Sequence, residues 1–291
     1  MASQLAEFSN ELAGVVKQAE GHVVAVHARP RFSSSGVLWK QGVIVTAEHT
    51  VRREEEITVT LPDGTNASAT LAGADPGTDI AVLKVEGGPA GMKHVAAPDP
   101  GTFTLAIGRS EDSGVNASLG IISARSGEWR TWRGGQLDHY IRLDVNVFPT
   151  SDGGAVVNTA GELIGIASTA LSRIASLAIP AVTIDRVVEQ ILTRGHVARG
   201  YLGVGLQPVE LPDHHKGLIV LSVEREGPAS KGGVLIGDIV TALGEHTVAE
   251  TEDLQTVLES HAPGTKVKVA LLRGGDSKIV EITVGERPRR S

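Results

Sequence analysis

Three short segments carry the side chains from which a hydrolytic centre is assembled. Thr46-Ala47-Glu48-His49-Thr50-Val51 supplies an imidazole, and Thr78-Asp79-Ile80-Ala81-Val82-Leu83-Lys84 a carboxylate. Pro149-Thr150-Ser151-Asp152-Gly153-Gly154-Ala155-Val156-Val157-Asn158 supplies a hydroxyl and a second carboxylate ahead of a glycine pair. An imidazole can take the proton of a nucleophilic hydroxyl, while a carboxylate behind it orients the ring and stabilises its charged form. Singly, each residue has an ordinary explanation, since histidine after a strand and aspartate after Gly-Thr are common turn residues. Chain order and spacing make them a set. A ring placed between Asp79 and Asp152 would have its charged form favoured and its pKa raised. A histidine and two carboxylates are also plausible ligands for a divalent cation, but no H-x-x-x-H or similar spacing accompanies them. No metal and no cofactor are expected. His214-His215, between Asp213 and Lys216, reads as a solvated loop.

These residues are far apart in the chain, so strands and turns must bring them together. The composition suits that. The 291 residues include 35 glycines and 13 prolines among many short Val/Ile/Leu/Thr runs, as in a turn-rich β chain with room for one large and one smaller domain. Aromatic residues make up 3%, so the cores must be aliphatic. A net charge of −7 argues against a nucleic-acid partner. The absence of cysteine excludes disulfides, a thiolate nucleophile and Cys-ligated zinc. Met1-Ala2-Ser3-Gln4-Leu5 shows neither a basic nor an apolar leader region, and no run approaches the ~18 apolar residues of a membrane span. As written the chain reads as soluble, cytoplasmic if it begins here and exported if a signal was trimmed.

Residues 4–20 form an amphipathic helix by spacing, with Leu5, Phe8, Leu12, Val15 and Val16 on one face. From Val23 to Pro180 short strands follow one another, among them Val43–Ala47, Ile57–Leu61, Ser68–Ala72 and Ile80–Val85, with Asp63-Gly64 as a hairpin signal. Thr183–Arg194 is a second helix, stripe Ile184, Val187, Val188, Ile191 and Leu192, with Gly195 as C-terminal cap. His196-Val197-Ala198-Arg199 reads as a linker, and Thr251–His261 as a helix with two acids in its first turn.

The three polar segments together resemble the His, Asp and Ser blocks of the HtrA (Deg) family of trypsin-like serine proteases. In that family the third block reads P-G-N-S-G-G-P-L-V-N. Here Gly153-Gly154 and Asn158 match, and the serine position falls on Asp152. The resemblance implies a mostly β fold: a chymotrypsin-like double six-stranded β-barrel over residues 1–198, with the site in the cleft, followed by an α+β PDZ domain over 199–291. It assigns His49 as general base and Asp79 as its orienting carboxylate. A carboxylate cannot replace the serine hydroxyl as acylating nucleophile, and losing that serine costs about 10⁶-fold in turnover. Its charge would also repel the oxyanion that the site must stabilise. Thr150 stands where the family has glycine in the oxyanion turn that ends at Gly153, and Ala155 stands for proline. A β-branched residue resists the conformations glycine allows there. Ser151, one residue early, is the alternative nucleophile, its side chain turned elsewhere unless the turn rearranges.

Residues 199–288 resemble a PDZ domain through Gly200-Tyr201-Leu202-Gly203-Val204, Gly227-Pro228-Ala229 and Gly237-Asp238-Ile239-Val240. PDZ domains bind peptides by adding a strand to a sheet edge. The resemblance makes Tyr201, Leu202, Gly203 and Val204 the loop for a terminal carboxylate, Gly205 and Leu206 the pairing strand, and Leu254, Val257 and Leu258 the apolar pocket. Trp129, Arg130, Trp132 and Arg133 lie where a loop in relatives relays PDZ occupancy to the active-site turn. The expected protein is an HtrA-like pseudoprotease that binds peptides or unfolded proteins with apolar C-termini, as a chaperone-like or scaffolding homo-oligomer, a trimer built on the N-terminal helix. The alternatives are an active serine endopeptidase using Ser151, and a non-catalytic subunit of an active HtrA relative.

Overall fold

A computed structural model of the chain describes residues 3–96, 98–198, 200–211, 214–259, 261 and 263–286; Arg199 of the expected linker and Asp213 lie outside the described residues. The chain divides into two compact units, Met1–Val197 and Ala198–Ser291.

The first unit opens with α1 (Gln4–Ala19), whose N-terminus is capped by the Ser3 hydroxyl accepting from the Ala6 N–H. Only the C-terminal end of its apolar stripe is covered: Val15 and Ala19 are buried, while Leu5 is 76% exposed. Six strands then close a first barrel: β1 (Val23–His27), β2 (Ser34–Lys40), β3 (Val43–Ala47), β4 (Ile57–Thr60), β5 (Asn66–Asp75) and β6 (Ile80–Val85), in the order β1-β2-β3-β6-β5-β4. Asp63-Gly64 does turn a hairpin, with Thr60 opposite Asn66 and Gly64 at φ +85°. Strand β2 is a departure from the sequence reading. Ser33-Ser34-Ser35-Gly36 has the look of a loop, yet Ser34, Ser35 and Gly36 pair with β1, Gly36 also pairs with Thr46 of β3, and all three are buried.

The second barrel holds β7 (Phe103–Ser110), β8 (Gly114–Ser126), β11 (Tyr140–Asp144), β12 (Ala155–Asn158), β13 (Leu163–Ser168) and β14 (Ser176–Pro180), ordered β11-β14-β13-β12-β7-β8. Between β8 and β11 a small hairpin, β9 (Trp129–Arg130) and β10 (Gln136–Leu137), stands outside the barrel. Helix α2 (Ala181–Arg194) buries Ile184, Val187, Val188 and Ile191 in the core that also takes residues from both barrels. It ends at Gly195, φ +78°, whose N–H returns to the Ile191 carbonyl.

The second unit has its own core of Leu202, Leu218, Val220, Val240, Leu254, Val257, Leu258, Val267, Val269, Leu271, Ile282 and neighbours. Strand β15 (Gly200–Tyr201) pairs with β22 (Gly285–Glu286). The main sheet runs β16-β17-β18-β20-β21, comprising β16 (Val204–Glu210), β17 (Lys216–Val223), β18 (Ile239–Leu243), β20 (Lys266–Arg273) and β21 (Asp276–Thr283), with β19 (His246–Thr247) on β18. Helices α3 (Pro228–Lys231) and α4 (Thr251–Glu259) complete it.

Candidate active site

His49 lies in the tight helical turn Glu48–Thr50 that follows β3. The Thr50 hydroxyl donates to the Ala47 carbonyl at 2.7 Å, fixing the turn. Asp79 precedes β6 at φ +59°, a left-handed conformation that aspartate tolerates better than most side chains. The bend before it is closed by Asp75, which accepts from the Thr78 hydroxyl at 2.8 Å. Strands β3 and β6 are neighbours, so the two turns meet: the Asp79 carbonyl accepts the Glu48 N–H, and its carboxylate the His49 N–H at 2.9 Å. The ring then presents Nδ1 to both Asp79 oxygens, at 3.0 and 2.9 Å. Ser168, at the end of β13 in the other barrel, donates its hydroxyl to Asp79 Oδ2 at 2.6 Å.

On the far side of the ring, Nε2 faces Asp152 Oδ2 at 3.4 Å. Asp152 is 3% exposed and receives two more hydrogen bonds, from the Thr169 N–H at 2.9 Å and the Thr169 hydroxyl at 2.7 Å. Burial works against charge on His49. Hydrogen bonds that the ring donates to Asp152 and Asp79, and their negative charge, outweigh it and push the pKa up to about 9. At neutral pH the ring is an imidazolium held between carboxylates from both barrels, with no lone pair for a proton. Beside it, burial and then the Asp79 charge push the Glu48 carboxyl up, opposed by Arg133 at 3.3 Å.

The turn that carries Asp152 is a short helical turn, Pro149–Ser151, which threonine enters at position 150 without strain. The Thr150 carbonyl is held by the Ser35 hydroxyl at 2.6 Å, and the Asp152 carbonyl accepts the Ser35 N–H at 2.9 Å. Gly153 turns the chain at φ +78°, and a Cβ there would come within 2.6 Å of the Thr46 hydroxyl. Its N–H donates to the Ala167 carbonyl, so it shapes the turn and is not aimed at an oxyanion. Ser151 is buried, and its hydroxyl donates to Asn116 Oδ1. Among the described residues the hydrogen bonds and ion pairs of the His49 ring run to Asp79 and Asp152.

The β9–β10 hairpin is docked on this centre. The Thr131 hydroxyl donates to the Gly77 carbonyl at 2.6 Å and accepts the Gly135 N–H at 3.0 Å. Arg133 reaches Glu48 and lies 4.9 Å from the Trp132 ring centroid; the Trp132 indole N–H points at the Ala170 carbonyl, 3.4 Å away. One hairpin thus touches the segments of His49, of Asp79 and of the Thr169 that binds Asp152.

In the second unit, Leu202 is buried with its carbonyl accepting the Ala229 N–H, and Tyr201 lies in the short strand β15. Gly203 turns at φ +74°, and a Cβ there would meet the Glu224 carboxylate at 3.0 Å. Val204, Gly205 and Leu206 run along β16, the end strand of the sheet order, with a bulge between Gly205 and Leu206. Leu254, Val257 and Leu258, expected as pocket walls, are buried in the core of this unit, 6%, 7% and 6% exposed, with Val204 and Leu206 packed on the same cluster. Their three-to-four spacing is that of a helix facing a core.

Residues 34–166 match the trypsin-like peptidase domain family and residues 200–284 the PDZ domain family. The HtrA-type protease AlgW, solved with a tripeptide, is 30% identical with a TM-score of 0.74, covering 96% of this chain and 98% of that one. The chain belongs to the HtrA family. The serine endoprotease from Yersinia pestis is also 30% identical, with a TM-score of 0.79 over 95% of this chain and 98% of that one. Among curated HtrA relatives, a probable periplasmic serine endoprotease (DegP-like) of Brucella suis is 34% identical over 90% of this chain and 54% of its own length. The counterpart in Halomonas elongata is 33% identical over 93% and 59%. The chain thus spans about half the length of the curated relatives it matches.

Several residues that build this HtrA site were not singled out in the sequence. Thr169 and Ser168 hold the two carboxylates, Ser35 fastens the turn, and Asn116 takes the Ser151 hydroxyl. Serines and threonines at strand ends are too common to read as site residues, and their partners lie 17 to 115 positions away.

Proposed function

We propose that this chain is an HtrA-like pseudoprotease that binds peptides or unfolded polypeptides and does not cleave them. The observation that carries the reading is the Asp152 carboxylate facing His49 Nε2 at 3.4 Å, where a base must meet a hydroxyl. The Asn116 bond to the Ser151 hydroxyl speaks against that serine as a substitute nucleophile. Peptide binding is assigned to the PDZ unit at the free edge of β16, with Gly203 shaping the loop for a terminal carboxylate. A homo-oligomer, a trimer built through α1, is part of the proposal. Its support is the uncovered end of the helix at Leu5 and the contact of Phe8 with the half-exposed Phe103, ring centroids 5.8 Å apart.

The deciding experiment is degradation of unfolded casein by the purified chain beside Asp152→Ser and His49→Ala variants. The native chain is expected to be inert. Cleavage by the native chain that His49→Ala abolishes would overturn the reading. Activity in Asp152→Ser would show that only the nucleophile is missing, and silence there would point to the oxyanion turn at Thr150.

A further inference from the structure

Beside the Asp152 turn the chain gathers four arginines. Arg29 and Arg31 lie between β1 and β2, and Arg52 and Arg53 follow the His49 turn. The two segments run together, because the Arg52 and Arg53 N–H groups both approach the Ala28 carbonyl, at 2.8 and 3.2 Å. Arg53 also donates to the His27 carbonyl at 3.0 Å. Arg29 is the anchor: its guanidinium donates to the carbonyls of Phe32, Ser33 and Pro149, tying the β1–β2 loop to the turn. Burial, and the Arg52 charge, pull the Arg29 pKa down, while Asp152 pulls it up, so all three lie within reach of one field.

Two features of this cluster are unexplained by the fold. Arg31 and Arg52 are exposed and, among the described residues, have no hydrogen-bond or ion-pair partner for their guanidinium groups. This holds although Glu54, Glu55 and Glu56 follow Arg53 directly. Next to them two large apolar side chains face solvent: Phe32, 63% exposed, and Phe148, 49% exposed. Arg29 bridges the Phe32 carbonyl and that of Pro149, the residue after Phe148, so the backbone segments that carry these two side chains meet at one guanidinium.

We propose that this patch docks a short acidic stretch of polypeptide that also carries an aromatic or aliphatic side chain. Free guanidinium groups recognise carboxylates through paired N–H donors. The exposed phenylalanines supply the apolar contact that exposed charges alone lack. Charge complementarity limits the occupant to a short segment, because the exposed Glu54, Glu55 and Glu56 border the arginines. A long polyanion such as nucleic acid would meet that acidic border and a chain of net charge −7. The surface lies on the first unit and does not use the PDZ loop. It rests on the reading of the chain as a polypeptide binder, but not on whether the centre is inert.

The test uses the full chain and a fluorescent peptide of alternating acidic and Phe/Leu residues, acetylated and amidated so that it has no terminal carboxylate. Anisotropy is expected to show saturable binding that weakens about tenfold in Arg31→Glu/Arg52→Glu and weakens with added salt. A lysine-rich peptide of the same apolar pattern should not bind. Unchanged affinity in the double variant, equal binding of the basic peptide, or tighter binding of an oligonucleotide would each overturn the proposal. Both substitutions replace exposed side chains without partners, and a circular dichroism spectrum matching the parent confirms the fold. Casein cleavage by the native chain would end the pseudoprotease reading without altering these outcomes.

Discussion

His49 is the residue whose chemistry is most altered by its surroundings. Its folded pKa of about 9 lies above the ordinary 6.5, so folding favours the protonated ring. The resulting stabilisation is complete below about pH 6.5 and is lost as pH rises through 9, amounting to about 3 kcal/mol at most. Urea denaturation at pH 6, 7.5 and 9.5 should therefore give a falling stability. Asp152→Asn removes one of the two carboxylates, so the fall should begin at lower pH; an identical profile in that variant would mean that Asp152 does not hold the charge. Asp79 has the opposite exposure to risk. Fully buried and bonded to the His49 N–H, the ring and Ser168, its replacement by Ala should cost about 3–5 kcal/mol by leaving the imidazolium half paired. A loss under 1 kcal/mol in the same denaturation experiment would contradict this geometry.

At the scale of elements, the β9–β10 hairpin has too few residues to fold by itself and keeps its place through contacts at its tip. The buried Thr131 hydroxyl is the key link, since Thr131→Val leaves the Gly77 carbonyl and Gly135 N–H unpaired. About 2 kcal/mol should be lost, and amide exchange should quicken over residues 129–137 but not in the second unit. Uniform quickening would assign Thr131 to the global core. This hairpin and strand β2 were the elements least legible in the sequence. Strands of two residues carry no alternation, and the serines of β2 look like a loop until their backbone pairs with β1. The helices were more legible because α2 spells its period of 3.6 and its glycine cap in consecutive residues.

At the scale of the molecule, the second unit has its own apolar core, so residues 200–286 should fold alone in a cooperative transition. A peptide that binds the full chain through the PDZ edge should bind this fragment within about threefold, measured by titration calorimetry; loss of binding would show that the first unit contributes to the site. The order of the His, Asp and Gly-Gly segments and the PDZ segments was enough to place the chain in its family and fold class, because motif order and hydrophobic alternation are local properties of the string. It also singled out His49, Asp79 and Asp152, whose side chains meet in the structure. What only the tertiary structure decided is which side chains meet. Whether Ser151 or Asp152 faces the ring depends on one turn held by Ser35 of β2 and by Thr169, just past the end of β13. Whether Leu254, Val257 and Leu258 form a pocket or a core depends on what covers them. Such contacts arise from chain closure over many residues, and helical or strand periodicity carries no record of them.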